Sequence, residues 1–174
     1  GAAVGRAAGS QQWRETSLGG ISKQGERAGW QFAQQPGSAT ALVPNKQVAS
    51  RAQVGAALEQ EIDRFAPDLV VLAGFMRILT PAFVEHYAGR LMNIHPSLLP
   101  KYRGLDTHAR VLAAADTVSG CTVHLVTAEL DAGAILAQTE VPIAPDDTPV
   151  TLEQRVLAAE HLLYPRALGD FVSS

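Results

Sequence analysis

The sequence predicts an α/β domain with a largely parallel sheet. From residue 39 onward, short apolar runs of strand character alternate with segments of helical spacing. The run Leu69-Val70-Val71-Leu72-Ala73 is apolar throughout, as in a strand covered on both faces. The chain's 174 residues suffice for one domain with a sizeable core and are too few for two comfortable ones.

Residues 1–38 are rich in Gly, Ala, Ser, Gln and Arg and keep neither a period of 2 nor one of 3.6. They read as an atypical N-terminal segment, disordered or truncated, ahead of a regular domain over 39–174. Ala39–Val43 is a short strand candidate. Val54, Ala57, Leu58, Ile62 and Phe65 lie at helical spacing over 51–65, and Pro67 stops that helix. After the 69–73 strand, Thr80-Pro81 reads as an N-cap with proline at N1, and Gly89 as the glycine that ends the helix. Leu91–Ile94 is a second short strand, ended by Pro96. Residues 121–126 and 134–141 are further strands, able to pair as an antiparallel hairpin. Thr151 is expected to start a helix with Leu152, Val156, Ala159 and Leu163 on one face. Gln154 would complete its capping box, and Pro165 would kink it rather than end it.

Composition narrows the function classes. A hydrophobic share of 47%, a charged share of 18% and a net charge of −3 are ordinary for a globular protein, and no lysine- or arginine-rich block suggests nucleic acid or a membrane surface. Cys121, the single cysteine, sits in an apolar stretch and reads as a buried thiol. No apolar run approaches the roughly 20 residues of a membrane span, and Arg6 is not followed by the apolar core of a signal peptide. A reducing, cytoplasmic setting is expected.

The chemistry-bearing residues concentrate in Met92-Asn93-Ile94-His95-Pro96-Ser97-Leu98-Leu99-Pro100-Lys101-Tyr102-Arg103-Gly104. Strand alternation puts Asn93 and His95 on one side, and Pro96 sets them at the strand's carboxyl end, where open α/β sheets bind ligands. An amide donor can hold an oxyanion while an imidazole moves a proton. On its own, such a pair is more often scaffold than site. Asp131, in Glu129-Leu130-Asp131-Ala132-Gly133, is either an Asx-turn residue or a carboxylate facing His95 that favours its protonated form. Gly74-Phe75-Met76-Arg77-Ile78-Leu79, directly after a strand, is either an ordinary loop or backbone presented to a flat heterocycle. His86, His108, His124 and His161 show no metal-ligand spacing. Neither a Walker phosphate loop nor a dinucleotide fingerprint is present, and the lone Ser97 lacks the Gly-x-Ser-x-Gly elbow of a serine hydrolase.

Four stretches taken together, Ala66–Leu79, Leu91–His108, Gly120–Gly133 and Glu160–Pro165, occur in the order of the phosphoribosylglycinamide formyltransferase family and resemble it over about residues 37–173. The resemblance implies a three-layer, mostly parallel twisted sheet of Rossmann-like type. It also implies transfer of the formyl group of 10-formyltetrahydrofolate to the amine of phosphoribosylglycinamide in purine biosynthesis, without a metal. The family's catalytic trio falls on Asn93, His95 and Asp131, with His95 as proton donor and Asp131 favouring its protonated form. The pterin of the folate would lie against the Met76, Arg77, Ile78 and Leu79 loop and the 127–131 loop, with Arg51 and Asn93 nearby. Glu160 would contact the glycinamide substrate, and His124 would lie at the site's edge. Family members open with a buried strand and a glycine-rich phosphate loop. Residues 1–38 show no match to either, so that strand and loop are expected to be missing or altered. Two alternatives follow: a folate-binding fragment that turns nothing over, or a formyltransferase of the methionyl-tRNA type. The latter usually reads Ala-Ala-Pro where this chain has Leu105-Asp106-Thr107-His108.

Overall fold

A computed structural model describes residues 2–5, 17–22, 39–42, 51–73 and 79–174, with side chains over 55–73 and 79–174. The chain divides into two compact units, Gly1–Met92 and Asn93–Ser174.

In the first unit the strands are β1 (Ala2–Gly5), β2 (Ser17–Ser22), β3 (Ala39–Leu42) and β4 (Leu69–Leu72), with the start of β5 (Leu91–His95). The pairings are mixed. β1 runs antiparallel to both β2 and β4, and β2 runs parallel to β3. β1 and β2 fall where periodicity showed no strand; both are rich in small residues and are paired by their backbone ladders. The glycine-rich phosphate loop sought in this region lies outside the described residues.

Helix α1 (Arg51–Asp63) ends two residues before the predicted Phe65. The chain leaves it through a turn in which the Phe65 and Ala66 amides donate to Ile62 and Asp63. Leu58 and Ile62 of α1 are buried, as are Leu69, Val70 and Leu72 of β4. Helix α2 (Pro81–His86) begins as predicted, with Thr80 as N-cap accepting the Phe83 amide and Pro81 in the first turn. It stops at His86, ahead of Gly89, whose φ of +74° serves the turn into β5. Phe83 and Tyr87 pack ring to ring at 4.9 Å, and the Tyr87 hydroxyl donates to Asp63 at 2.7 Å.

The second unit holds the end of β5, helix α3 (Thr107–Ala113), β6 (Val118–Leu125), β7 (Ile135–Pro142) and helix α4 (Pro149–Ser173). β6 and β7 form the expected antiparallel hairpin, from Val118 opposite Pro142 to His124 opposite Ile135, with a register shift at Val123/His124. Helix α4 packs across both strands. Leu152, Val156, Leu163 and Ala167, spaced four, seven and four residues apart, are its buried face. The helix starts at Pro149, two residues earlier than expected. Thr148 is its N-cap, and the reciprocal partner is Thr151 rather than Gln154, because each threonine hydroxyl reaches the other's backbone amide. Pro165 lies inside the helix, which runs on to Ser173.

Candidate active site

Asn93 and His95 leave β5 on one side, as alternation requires, and both belong to the second unit. The side chains of His95 and Asp131 are 7% and 8% exposed, and His95 Nδ1 lies 3.4 Å from Asp131 Oδ2. The predicted histidine–carboxylate pair is therefore brought together in a nearly dry place.

Two backbone carbonyls assign the protons on the two histidines of the cluster. Nε2 of His95 is 2.9 Å from the Tyr102 carbonyl, which can only accept, so Nε2 carries a proton. The neutral ring would then turn a lone pair toward the Asp131 carboxylate. In the doubly protonated ring an N–H faces it instead. His124 is arranged the opposite way. Its Nδ1 donates to the Leu125 carbonyl at 2.9 Å, leaving Nε2 as the acceptor for the Asn93 amide at 3.4 Å. Burial pushes the His124 pKa below its ordinary value, outweighing the raising effects of Leu125 and Asp131. A neutral His124 meets Asp131 Oδ1 at 3.7 Å with a lone pair, so that approach is not an ion pair. What it meets at its free nitrogen is the Asn93 amide.

Asp131 is held by its own geometry. Its φ of +49° lies in the left-handed region, at a cost on the order of 1 kcal/mol for a residue with a Cβ. In return its Oδ2 accepts the Gly104 amide at 2.9 Å. Gly133 closes the same loop so tightly that a Cβ there would stand 1.7 Å from the Leu125 carbonyl oxygen. Above these contacts, Arg103 and Glu129 pair at 2.7 Å across the two loops, and Leu105 and Leu130 expose apolar surface.

Glu160, on α4, is half-buried. Burial, with Glu153 nearby, raises its pKa to about 7. The folded pKa then exceeds the unfolded value, so stability present below pH ~4.5 declines as pH rises through 7. Glu160→Gln is expected to flatten this decline: between pH 5.5 and pH 8.5 its Tm should fall less than that of the parent chain. Thermal melts at the two pH values check it, and equal falls would remove the charge of Glu160 as the cause.

Other site residues named from the sequence lie in the first unit. Met76, Arg77 and Ile78 lie outside the described residues, as does the side chain of Arg51, whose backbone opens α1. Leu79 is half-buried. Among the described residues, one group of metal-ligating type occurs, Glu59, Asp63 and His86; His86 Nε2 lies 3.1 Å from Asp63, which also accepts the Tyr87 hydroxyl. Also among the described residues, no helix is long and apolar enough to cross a membrane.

Sequence reasoning did not find Tyr102, Gly104 and Leu125 as site residues, because they act through backbone groups that any residue type could supply. Only Gly104, at φ +81°, carries a residue-type signal.

The cluster sets an imidazole between a carbonyl and a carboxylate, beside an amide, which is a donor set suited to proton transfer at a polarised carbonyl. The family model for formyl transferases matches residues 2–168, and the chain belongs to this family. It is 48% identical over 151 residues to phosphoribosylglycinamide formyltransferase of Escherichia coli (strain K12), covering 87% of this chain and 71% of that protein. It is 44% identical over 148 residues to the trifunctional purine biosynthetic protein adenosine-3 of Bos taurus, covering 85% of this chain and 15% of that protein. Among solved structures, phosphoribosylglycinamide formyltransferase of Coxiella burnetii superposes with a TM-score of 0.80 at 48% identity, covering 90% of this chain and 74% of that one.

Proposed function

We propose that this chain transfers the formyl group of 10-formyltetrahydrofolate to the primary amine of phosphoribosylglycinamide, yielding the formylamide and tetrahydrofolate. The observation that carries this reading is the shielded His95–Asp131 pair with Asn93 beside it. The folate supplies one thing, a formyl carbon open to attack by the amine. This chain's residues supply the rest. The donor set fits such a reaction, because one amide N–H and one imidazolium N–H can converge on an oxygen that gains negative charge.

As the amine nitrogen bonds to the formyl carbon, Asn93 Nδ2–H and His95 Nδ1–H stabilise the developing oxyanion. The amine must lose a proton, and the departing folate nitrogen must gain one as its bond to carbon breaks. His95 Nδ1 mediates that exchange, and the Asp131 carboxylate holds the ring charged between steps. Glu160 contacts the glycinamide substrate, and Arg51, Met76, Arg77, Ile78 and Leu79 contact the folate. The substrates are small molecules, and the setting is cytoplasmic.

Purified chain, given 10-formyltetrahydrofolate and phosphoribosylglycinamide, is expected to show the absorbance change of folate deformylation only when the amine is present. Folate binding without turnover would overturn the enzymatic reading. Deformylation in the absence of amine would replace transfer by hydrolysis.

A further inference from the structure

Ser97 follows the β5 strand by two residues and has no part in the chemistry described above. It is 2% exposed, yet it is a polar side chain whose contacts all lead to one place. Its hydroxyl donates to the Lys101 carbonyl at 2.6 Å and lies 3.4 Å from the Tyr102 carbonyl. Its amide donates to the His95 carbonyl at 2.9 Å. The residues from Ser97 to Tyr102 are thus pulled into a closed turn that returns to the strand it left. Tyr102, at the end of that turn, sits at φ +56°, a left-handed conformation that a residue with a Cβ adopts only when its surroundings hold it. Held there, it aims its carbonyl at His95 Nε2.

The same turn is clamped from the hairpin. The Thr122 hydroxyl donates to the Ser97 carbonyl at 2.7 Å and accepts the Leu99 amide at 3.0 Å. Gln138 Nε2 reaches both the Leu99 carbonyl and the Thr122 hydroxyl at 2.9 Å. The Tyr102 hydroxyl donates to Asp116 at 2.7 Å, which fixes the far end.

We propose that Ser97 is a positioning residue for His95. Its hydroxyl closes the 97–102 turn, so that the Tyr102 carbonyl occupies Nε2 and Nδ1 is left as the one nitrogen that exchanges a proton with substrate. The proposal rests on the formyl-transfer reading for its catalytic consequence, whereas the anchoring of the ring does not. An imidazole released from Tyr102 can rotate or present the wrong nitrogen, and misplacement of a proton donor costs rate more than binding.

The test uses the full chain with ¹⁵N-labelled histidine. In the parent chain His95 Nε2 should give an N–H signal slow to exchange with water. Ser97→Ala is expected to lose that protection and to lower kcat by roughly tenfold, with KM for both substrates within about twofold. Ser97→Thr, which restores the hydroxyl, should recover both. Should Ser97→Ala not fold, Ser97→Cys, close in volume and a weak donor, takes its place with the same two readouts. An unchanged Nε2–H signal and kcat in the variant lacking a strong donor would overturn the proposal. So would a rate loss that Ser97→Thr fails to recover. A lost Nε2–H signal in a chain that transfers no formyl group would keep the anchoring role and discard the reaction.

Discussion

His95→Ala is expected to lower kcat for formyl transfer by roughly 10²- to 10⁴-fold while the protein stays folded. The proposed chemistry places a charged N–H at Nδ1, beside a carboxylate 3.4 Å away, in surroundings that admit little water. No other group of the cluster can replace it. His124 keeps its Nδ1 on Leu125 and is held neutral by burial, and Asn93 has no proton to give up at neutral pH. Asp131→Asn should act in the same direction, because it removes the carboxylate that faces Nδ1 in the proposed chemistry. The two losses should combine to much less than their product, since both act through one proton. Steady-state kinetics with circular dichroism on each variant checks this. A His95→Ala protein keeping a tenth or more of parental kcat would show that the proton travels by another route.

Gly133→Ala is expected to produce the largest loss of stability from a single methyl group in the second unit, about 2–4 kcal/mol. The added carbon would meet the Leu125 carbonyl at 1.7 Å, a backbone atom that cannot swing aside as a side chain can. That carbonyl also accepts the His124 Nδ1 proton, and the Leu125 amide is tied to Ala134 at 2.9 Å, so relief of the clash disturbs the hairpin and the orientation of Asn93 together. Gly104→Ala is the informative contrast. Its Cβ would find only Leu130 Cδ2 at 3.8 Å, and its φ of +81° limits the penalty to about 1 kcal/mol. Urea denaturation of the two variants side by side measures the difference. A Gly133→Ala protein within about 0.5 kcal/mol of the parent would mean that the loop relaxes freely.

Much of the scaffold was legible because it rests on periodicity. The apolar run at 69–72, the alternation that sets Asn93 beside His95, the hairpin expected from strands over 121–126 and 134–141, and the apolar face of α4 all follow from spacing. Helix α3 was not anticipated. It is seven residues long, and Asp106 leads into it in a left-handed conformation with no side-chain cap, so the usual start signal is missing although Asp stands at the expected position. The capping box of α4 was assigned to Gln154 because glutamine is a frequent partner, whereas Thr151 performs the same exchange at shorter reach. β1 and β2 escaped notice because Ala and Gly carry little strand preference, and ladder pairing is not written in local composition.

The candidate site was legible in its residue types and not in its geometry. Asn93, His95 and Asp131 could be named from a motif resemblance. Their distances, and the opposite ways in which the two histidines present their nitrogens, depend on two carbonyls and an amide, of which only Gly104 is marked by residue type.

The Thr122 hydroxyl gives one hydrogen bond and takes two, and in doing so joins β6, the turn after β5 and Gln138 of β7 at a single oxygen. Such a joint removes a degree of freedom that surface loops ordinarily keep. The turn carrying the Tyr102 carbonyl is tied to both strands of the hairpin through that oxygen, so letting go of His95 is coupled to disturbing the strands themselves.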